Sequence, residues 1–107
     1  MRIDPSQISR EWLIEPMPSF SAEQAARYDL RRLGVAEEGI ARMLATALPR
    51  AHERATEWEA FIALAEPGDA LWYFSSPKES WGSLSGRSGF ALVRAGAVIA
   101  AIVTAMS

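Results

Sequence analysis

The sequence contains no cysteine. Disulfides, thiolate metal sites and a cysteine nucleophile are therefore excluded. Histidine is almost missing as well: His52 is the single one, so any scheme that needs an imidazole base must use that residue. Long apolar runs are lacking. The longest, residues 97–103, falls far short of the roughly 20 residues that a membrane-spanning helix needs. The opening Met1-Arg2-Ile3-Asp4-Pro5-Ser6 has no apolar core of the kind found in secretory signals, and a cytoplasmic location is expected. Neither sign of charge dominates, since 11 Lys and Arg stand against 13 Asp and Glu for a net charge of −2. That balance offers no basic face for nucleic acid and no polybasic segment for an anionic membrane, so neither is expected as a partner.

What is present fits one globular domain. The chain has 107 residues, half of them apolar and 22% charged, enough for a single hydrophobic core. Pro5, Pro16 and Pro18 exclude a long helix through residues 1–20. This segment, with its short apolar run Trp12-Leu13-Ile14, reads as an extended arm that adds to a sheet or covers it.

Three helices follow. Residues 21–33 open with a Ser21–Gln24 capping box, carry Ala22, Ala26, Leu30 and Leu33 on one stripe, and end at Gly34, where a left-handed cap costs least. Residues 36–48 place Ile40, Met43, Leu44, Ala47 and Leu48 on a buried face, with Glu37 and Glu38 at the positive end of the helix dipole. Residues 50–65 align Ala51, Ala55, Trp58, Ile62 and Ala65, with Phe61 beside them. Glu66-Pro67-Gly68-Asp69 then suits a type II turn.

The last third predicts strands over 70–74, 89–94 and 98–106. Leu71, Trp72, Tyr73 and Phe74 are apolar on both parities, the mark of a strand covered on both faces. In the last strand, Val98, Ala100, Ile102 and Thr104 alternate with Ile99, Ala101 and Val103. Ala95 disfavours positive φ, so the Arg94-Ala95-Gly96-Ala97 hairpin is expected as a type I turn with Gly96 left-handed and a bulge. The expected fold is α+β: about three N-terminal helices packed on a mostly antiparallel three-stranded C-terminal sheet. Its parts are an arm (1–20), a helical section (21–66) and a sheet section (68–107). The two edges of such a sheet need cover, which makes a homodimer an expectation.

The connection over residues 75–88 holds nearly every residue with chemical capacity. Structureless loops of about 14 residues are uncommon in compact domains unless they bind something or are disordered. Trp81, Ser83, Ser85, Gly86, Arg87 and Ser88 are the candidate ligand-binding residues. Gly82, Gly86 and Gly89 allow inward-turned amides to form an anion nest, Arg87 offers a bidentate fork, and Trp81 a stacking surface. The same residues also suit a plain connection anchored by Trp81. The run Gly82-Ser83-Leu84-Ser85-Gly86-Arg87-Ser88 is not a P-loop: the glycine spacing is short, arginine replaces lysine, and a strand follows. No Gly-x-Ser-x-Gly elbow accompanies His52, and no catalytic residue is assigned. Metal binding would need carboxylates alone or a His52–Glu53–Glu57 cluster on a solvated helix face, so no metal and no cofactor is expected. Of the four tryptophans, Trp58 and Trp72 fit core stripes. Trp12 and Trp81 lie in irregular segments and are candidate interface anchors.

Gly68-Asp69-Ala70-Leu71-Trp72, Phe74-Ser75-Ser76-Pro77, Trp81, and Ser85-Gly86-Arg87-Ser88-Gly89-Phe90-Ala91-Leu92-Val93-Arg94 precede a valine–isoleucine strand ending in Thr104. This C-terminal third resembles the end of small bacterial proteins with no assigned activity. The resemblance implies a fixed structural or binding unit over residues 81–94 and carries no catalytic residue with it. The functional expectation is a non-enzymatic interaction module, antitoxin-, immunity- or regulator-like, with a protein partner. The alternative is a small-anion or metabolite binder using residues 75–88, and a third reading is a hydrolase or transferase using Arg87, Ser85 or glutamate residues.

Overall fold

Edge strands of a sheet leave a row of backbone N–H and C=O groups that need partners. Here the N-terminal arm supplies partners on both edges. The structure, a computed structural model, describes residues 1–46 and 48–106, and the side chains of these residues outside 46–54. β1 (Arg2–Ile3) pairs with β5 (Ala97–Met106), and β2 (Leu13–Pro16) pairs with β3 (Ala70–Ser75). β4 (Arg87–Arg94) lies between β3 and β5. All neighbours are antiparallel, and the order is β1-β5-β4-β3-β2.

The sheet therefore has five strands, which corrects the three-stranded expectation, while the α+β class stands. The physical reason is length. β1 has two residues and β2 four, too few to show an alternation, and long-range pairing alone defines them. Pro16 ends β2 on an outer strand, where its missing N–H leaves no inner ladder bond unmade.

Between these strands the arm crosses the sheet. Two 3-10 turns, Pro5–Gln7 and Arg10–Trp12, are capped by Asp4 and Ser9, whose side chains accept from Ser6 N (2.9 Å) and Glu11 N (3.3 Å). The crossing buries Ile8 and packs Ile3, Trp12, Leu13 and Val98 against Phe74, Ala91, Ala101 and Val103. The arm thus both extends the sheet and covers one face.

The opposite face receives the helices α1 (Ala22–Arg32), α2 (Glu37–Thr46) and α3 (Leu48–Ile62). Ser21 Oγ accepts from Gln24 N at 3.4 Å to start α1. Its core-facing residues are Ala25 and Tyr28, whereas Leu33 is 71% exposed. The apolar count had favoured Ala22 and Leu33. The aromatic wall of the sheet selects Tyr28 instead, with ring centroids 4.8 Å from Tyr73 and 6.3 Å from Phe90. α2 buries Ile40 and leaves Met43 exposed, and Ala47 lies outside the described residues. From α3, Trp58 and Phe61 enter the core, with Trp58 edge-on to Phe90 at 5.5 Å and its Nε1 donating to Phe20 O at 2.9 Å. Among the described residues no helix is long and apolar enough to cross a membrane.

Two irregularities adjust the β4–β5 ladder. Leu92 pairs with Ala100 but Val93 with Val98, so Ile99 is an extra residue. It joins Ala100 and Ile102 on the helix side, and Val98 joins Ala101 on the arm side. Strict alternation would place them the other way round. The second irregularity follows Ser88, where a side chain on Gly89 would collide with the carbonyl of Ile102. The hairpin turn also differs from expectation. Ala95 and Gly96 both have positive φ (51° and 80°), and Arg94 pairs with Ala97. A two-residue loop of this sign matches the right-handed strand twist, which outweighs the roughly 1–2 kcal/mol that alanine loses in that region. Residues 75–88 are likewise not structureless: α4 (Lys78–Gly82) forms within them, and β4 begins at Arg87.

Two polar fasteners complete the frame. The Asp69 side chain, 1% exposed, receives Arg94 Nε and Nη2 at 2.8 Å each and Glu66 N at 2.8 Å. The Arg94 guanidinium and the Glu66 amide hold the Asp69 carboxyl down at about 2. On the helix side, Tyr28 donates its hydroxyl to Glu15 of β2. Burial, the bond to Glu15 and that carboxylate's charge push the Tyr28 phenol up to about 12.

Both fasteners have a pH signature. Asp69 has a folded pKa below its ordinary 3.8, so its contribution is complete above that value and is lost as pH falls from there toward about 2. Thermal unfolding from pH 7 down to pH 2 is expected to show a steeper acid limb in the wild type than in Asp69→Asn. Tyr28 has a folded pKa above its ordinary 10.0. Below that value it adds no pH dependence, and stability falls as pH rises from 10 to about 12, because the unfolded chain ionises first. An ultraviolet phenolate titration is expected to show a step near pH 12 that Tyr28→Phe removes.

Candidate functional site

The turn joining β3 to β4 is built on Ser76. Its amide donates to Arg87 O (2.8 Å), and its hydroxyl accepts from Arg87 N (2.9 Å) and from the Ser80 hydroxyl (2.6 Å). This buried serine ties both ends of the excursion together. Pro77, in an extended conformation (φ −57°, ψ 152°), then directs the chain into α4, and Glu79 occupies the first turn, where a carboxylate suits the helix dipole. Trp81 lies against Gly86, and any side chain on Gly86 would overlap the indole. The Trp81 Nε1–H reaches Ser75 Oγ at 3.3 Å.

α4 ends in a Schellman motif. Ser85 N donates to Ser80 O (2.8 Å) and Leu84 N to Trp81 O (3.3 Å), which are the two bonds that define it. The residue between them must take positive φ, and Leu84 does so at 62°. α1 closes with the same pair of bonds, Val35 N to Leu30 O and Gly34 N to Arg31 O, but there glycine holds the left-handed position at 84°. The two motifs make an internal comparison. At the second, a leucine replaces the residue that backbone sterics favour, and that leucine is 79% exposed.

The serine hydroxyls are already committed within the turn. Ser83 Oγ donates toward Glu79 O and Ser80 O (3.2 Å each) and lies 3.1 Å from Ser85 Oγ, while Ser85 Oγ donates to Ser80 O at 3.1 Å. Trp81, Ser83, Ser85 and Gly86 are therefore brought together, but as parts of one knot closed on itself. Arg87 and Ser88 belong to β4, with Ser88 buried opposite Ser75. The Arg87 guanidinium makes no hydrogen bond or ion pair among the described residues. Trp12 is partly buried against the arm-side core, where it staples the arm. The side chains of His52 and Glu53 lie outside those described, and Glu57 faces the Met1 amine at 2.7 Å.

Sequence reasoning passed over Leu84. Its signal was the proline at residue 77 followed by Glu79, a start for a helix of five residues, too short for a periodicity. A second feature missed is an open depression of about 550 Å³ lined by Arg10, Glu11, Leu13, Trp72, Val93 and Gly96.

The knot makes a distinction that urea denaturation can check. Gly86→Ala forces a methyl into the Trp81 ring and is expected to cost about 1–3 kcal/mol. Ser85→Ala removes an exposed hydroxyl contact and is expected to cost less than about 1 kcal/mol. No family model, curated protein or solved structure matches this chain.

Proposed function

We propose that this protein is a non-enzymatic interaction module, of the antitoxin, immunity or regulator kind, that docks through the turn over residues 78–86. The observation that carries this reading is Leu84, exposed and at positive φ. Both properties oppose folding, and they coincide on one side chain. Strained backbone positions cluster where function requires a fixed shape. The hydroxyl knot beneath Leu84 holds that shape before any partner arrives, which lowers the entropy cost of association. The matching partner is a protein with an apolar pocket that admits a leucyl side chain.

The catalytic reading finds less support. Ser85 Oγ bonds to a carbonyl and to Ser83, with no carboxylate or imidazole beside it among the described residues. The anion-binding reading keeps one support, the Arg87 guanidinium, because the hydroxyls it would recruit are spent within the turn.

The test is Leu84→Gly. Relief of the left-handed backbone is expected to stabilise the fold by about 1 kcal/mol. Loss of the leucyl side chain, whose burial by a partner would be worth about 1.5–3 kcal/mol, is expected to weaken partner retention at least about tenfold. Urea denaturation and quantitative pull-down from the native host measure the two effects. A variant that retains the same proteins as the wild type, or a wild type that retains none, overturns the proposal.

A further inference from the structure

The proposed docking turn runs straight into β4, and Arg87 opens that strand. Ser76 holds the Arg87 backbone twice. Its amide donates to Arg87 O at 2.8 Å, and its hydroxyl accepts from Arg87 N at 2.9 Å. The root of the arginine side chain is thereby fixed. Its guanidinium, on a partly buried residue, makes no hydrogen bond or ion pair among the described residues. Arg27, Arg31 and Arg94, by contrast, each meet a carboxylate. Taking a cation partly out of water without a counter-charge costs free energy.

Apolar surface surrounds this cation. Arg87 stands directly opposite Met106 in the β4–β5 ladder, and cross-strand neighbours of this kind share a face. Met106 is 58% exposed. Leu84 precedes Arg87 by three residues, which keeps their Cα atoms within roughly 11 Å. A standard interface covers about 800 Å² on each partner, so a surface seated on Leu84 extends over Arg87 and Met106 too. The charge of this end also differs from that of the chain. From residue 70 onward Glu79 is the single carboxylate side chain, against Lys78, Arg87 and Arg94. Arg94 is taken by Asp69 and Glu66. Lys78 and Arg87, both at the turn end of the sheet, therefore give that end a positive balance on a protein whose net charge is −2.

We propose that the partner seated on Leu84 is an acidic protein, which offers a carboxylate to the Arg87 guanidinium and covers Met106 alongside. This inference rests on the docking reading of Leu84 and adds the partner's chemistry to it. A guanidinium donates two parallel bonds to one carboxylate, and that fork sets the partner's register while the leucyl pocket supplies apolar burial. The positive end also steers an acidic surface toward encounter. A neutral or basic partner would bury the guanidinium further with no counter-charge, which is unfavourable.

The experiment is a quantitative pull-down from the native host with the wild type, Leu84→Gly, Arg87→Gln and Arg87→Glu. Its probe is the set of host proteins that the wild type retains and Leu84→Gly loses. That set is expected to be acidic. Its retention is expected to weaken at least about tenfold with Arg87→Gln and at least about a hundredfold with Arg87→Glu. Both Arg87 variants are expected to keep the wild-type urea midpoint, because Arg87 meets Ser76 through backbone atoms alone. Retention by Arg87→Glu at wild-type strength overturns this inference and leaves docking through Leu84 standing. A retained set of basic proteins does the same. Thermal stabilisation of the wild type by inorganic phosphate, absent from Arg87→Gln, assigns the guanidinium to a free anion and also overturns it. A wild type that retains no such set overturns both readings together.

Discussion

Everything in this fold hangs on the antiparallel pairing of β4 with its two neighbours. Phe74, Phe90, Leu92 and Ala101 are fully or almost fully buried, and they lie on strands that show apolar side chains to both sides. A sheet apolar on both faces survives in water only if both faces are covered. The helices meet this need on one side with Trp58, Phe61 and Tyr28, and the arm meets it on the other with Ile8 and Trp12. The arm does more than cover. By pairing at each outer strand it also satisfies edge groups that would otherwise face solvent or another chain. The candidate turn and the open depression are by-products of this arrangement. The 78–86 turn is carried where β3 hands over to β4, and the depression opens where the arm crossing stops short of the hairpin.

The two Schellman closures differ in the residue that takes the left-handed position. At α1 the chain uses glycine at the left-handed position, and the neighbouring residues continue into α2, where Glu37 accepts from Arg31 Nε at 2.7 Å. At α4 a helix of five residues is far too short to persist alone, and the buried Ser76, the Trp81–Gly86 contact and the serine bonds hold it in place. That redundancy tolerates a residue the backbone disfavours. The proposed docking role rests on this combination of a hydrogen-bonded base and an exposed apolar tip.

What the sequence made legible follows the length of each element. The helices stood out because capping residues and apolar spacing recur over several turns: Ser21, Gly34 and the Trp58–Ile62–Ala65 stripe lie where the pattern places them. The inner strands were legible through their two-sided apolar character. β1 and β2 were not, since two and four residues carry no period and take their identity from distant partners. The Val98–Ile99 reversal was hidden for a related reason, because a bulge is set by the partner strand's register and leaves no local mark. In the candidate site, the grouping of Trp81, Ser83, Ser85 and Gly86 was visible as composition. Its closure on itself was not, because hydrogen bonds between serines and carbonyls depend on a helix too brief to announce itself. Trp72 is distant in sequence from Arg10 and Glu11, and only the crossing of the arm brings them to one depression.

The ladder between β1 and β5 joins the two ends of the chain, with Val103 N bonded to Met1 O. Contacts between residues so far apart form late and slow folding. During synthesis β2 can pair as soon as β3 is made, whereas β1 must wait for β5. The helices and the β3–β4 hairpin thus have a head start, and the β1–β5 ladder closes after them. Loss of β5 would therefore also free β1, while β2 would keep its place beside β3.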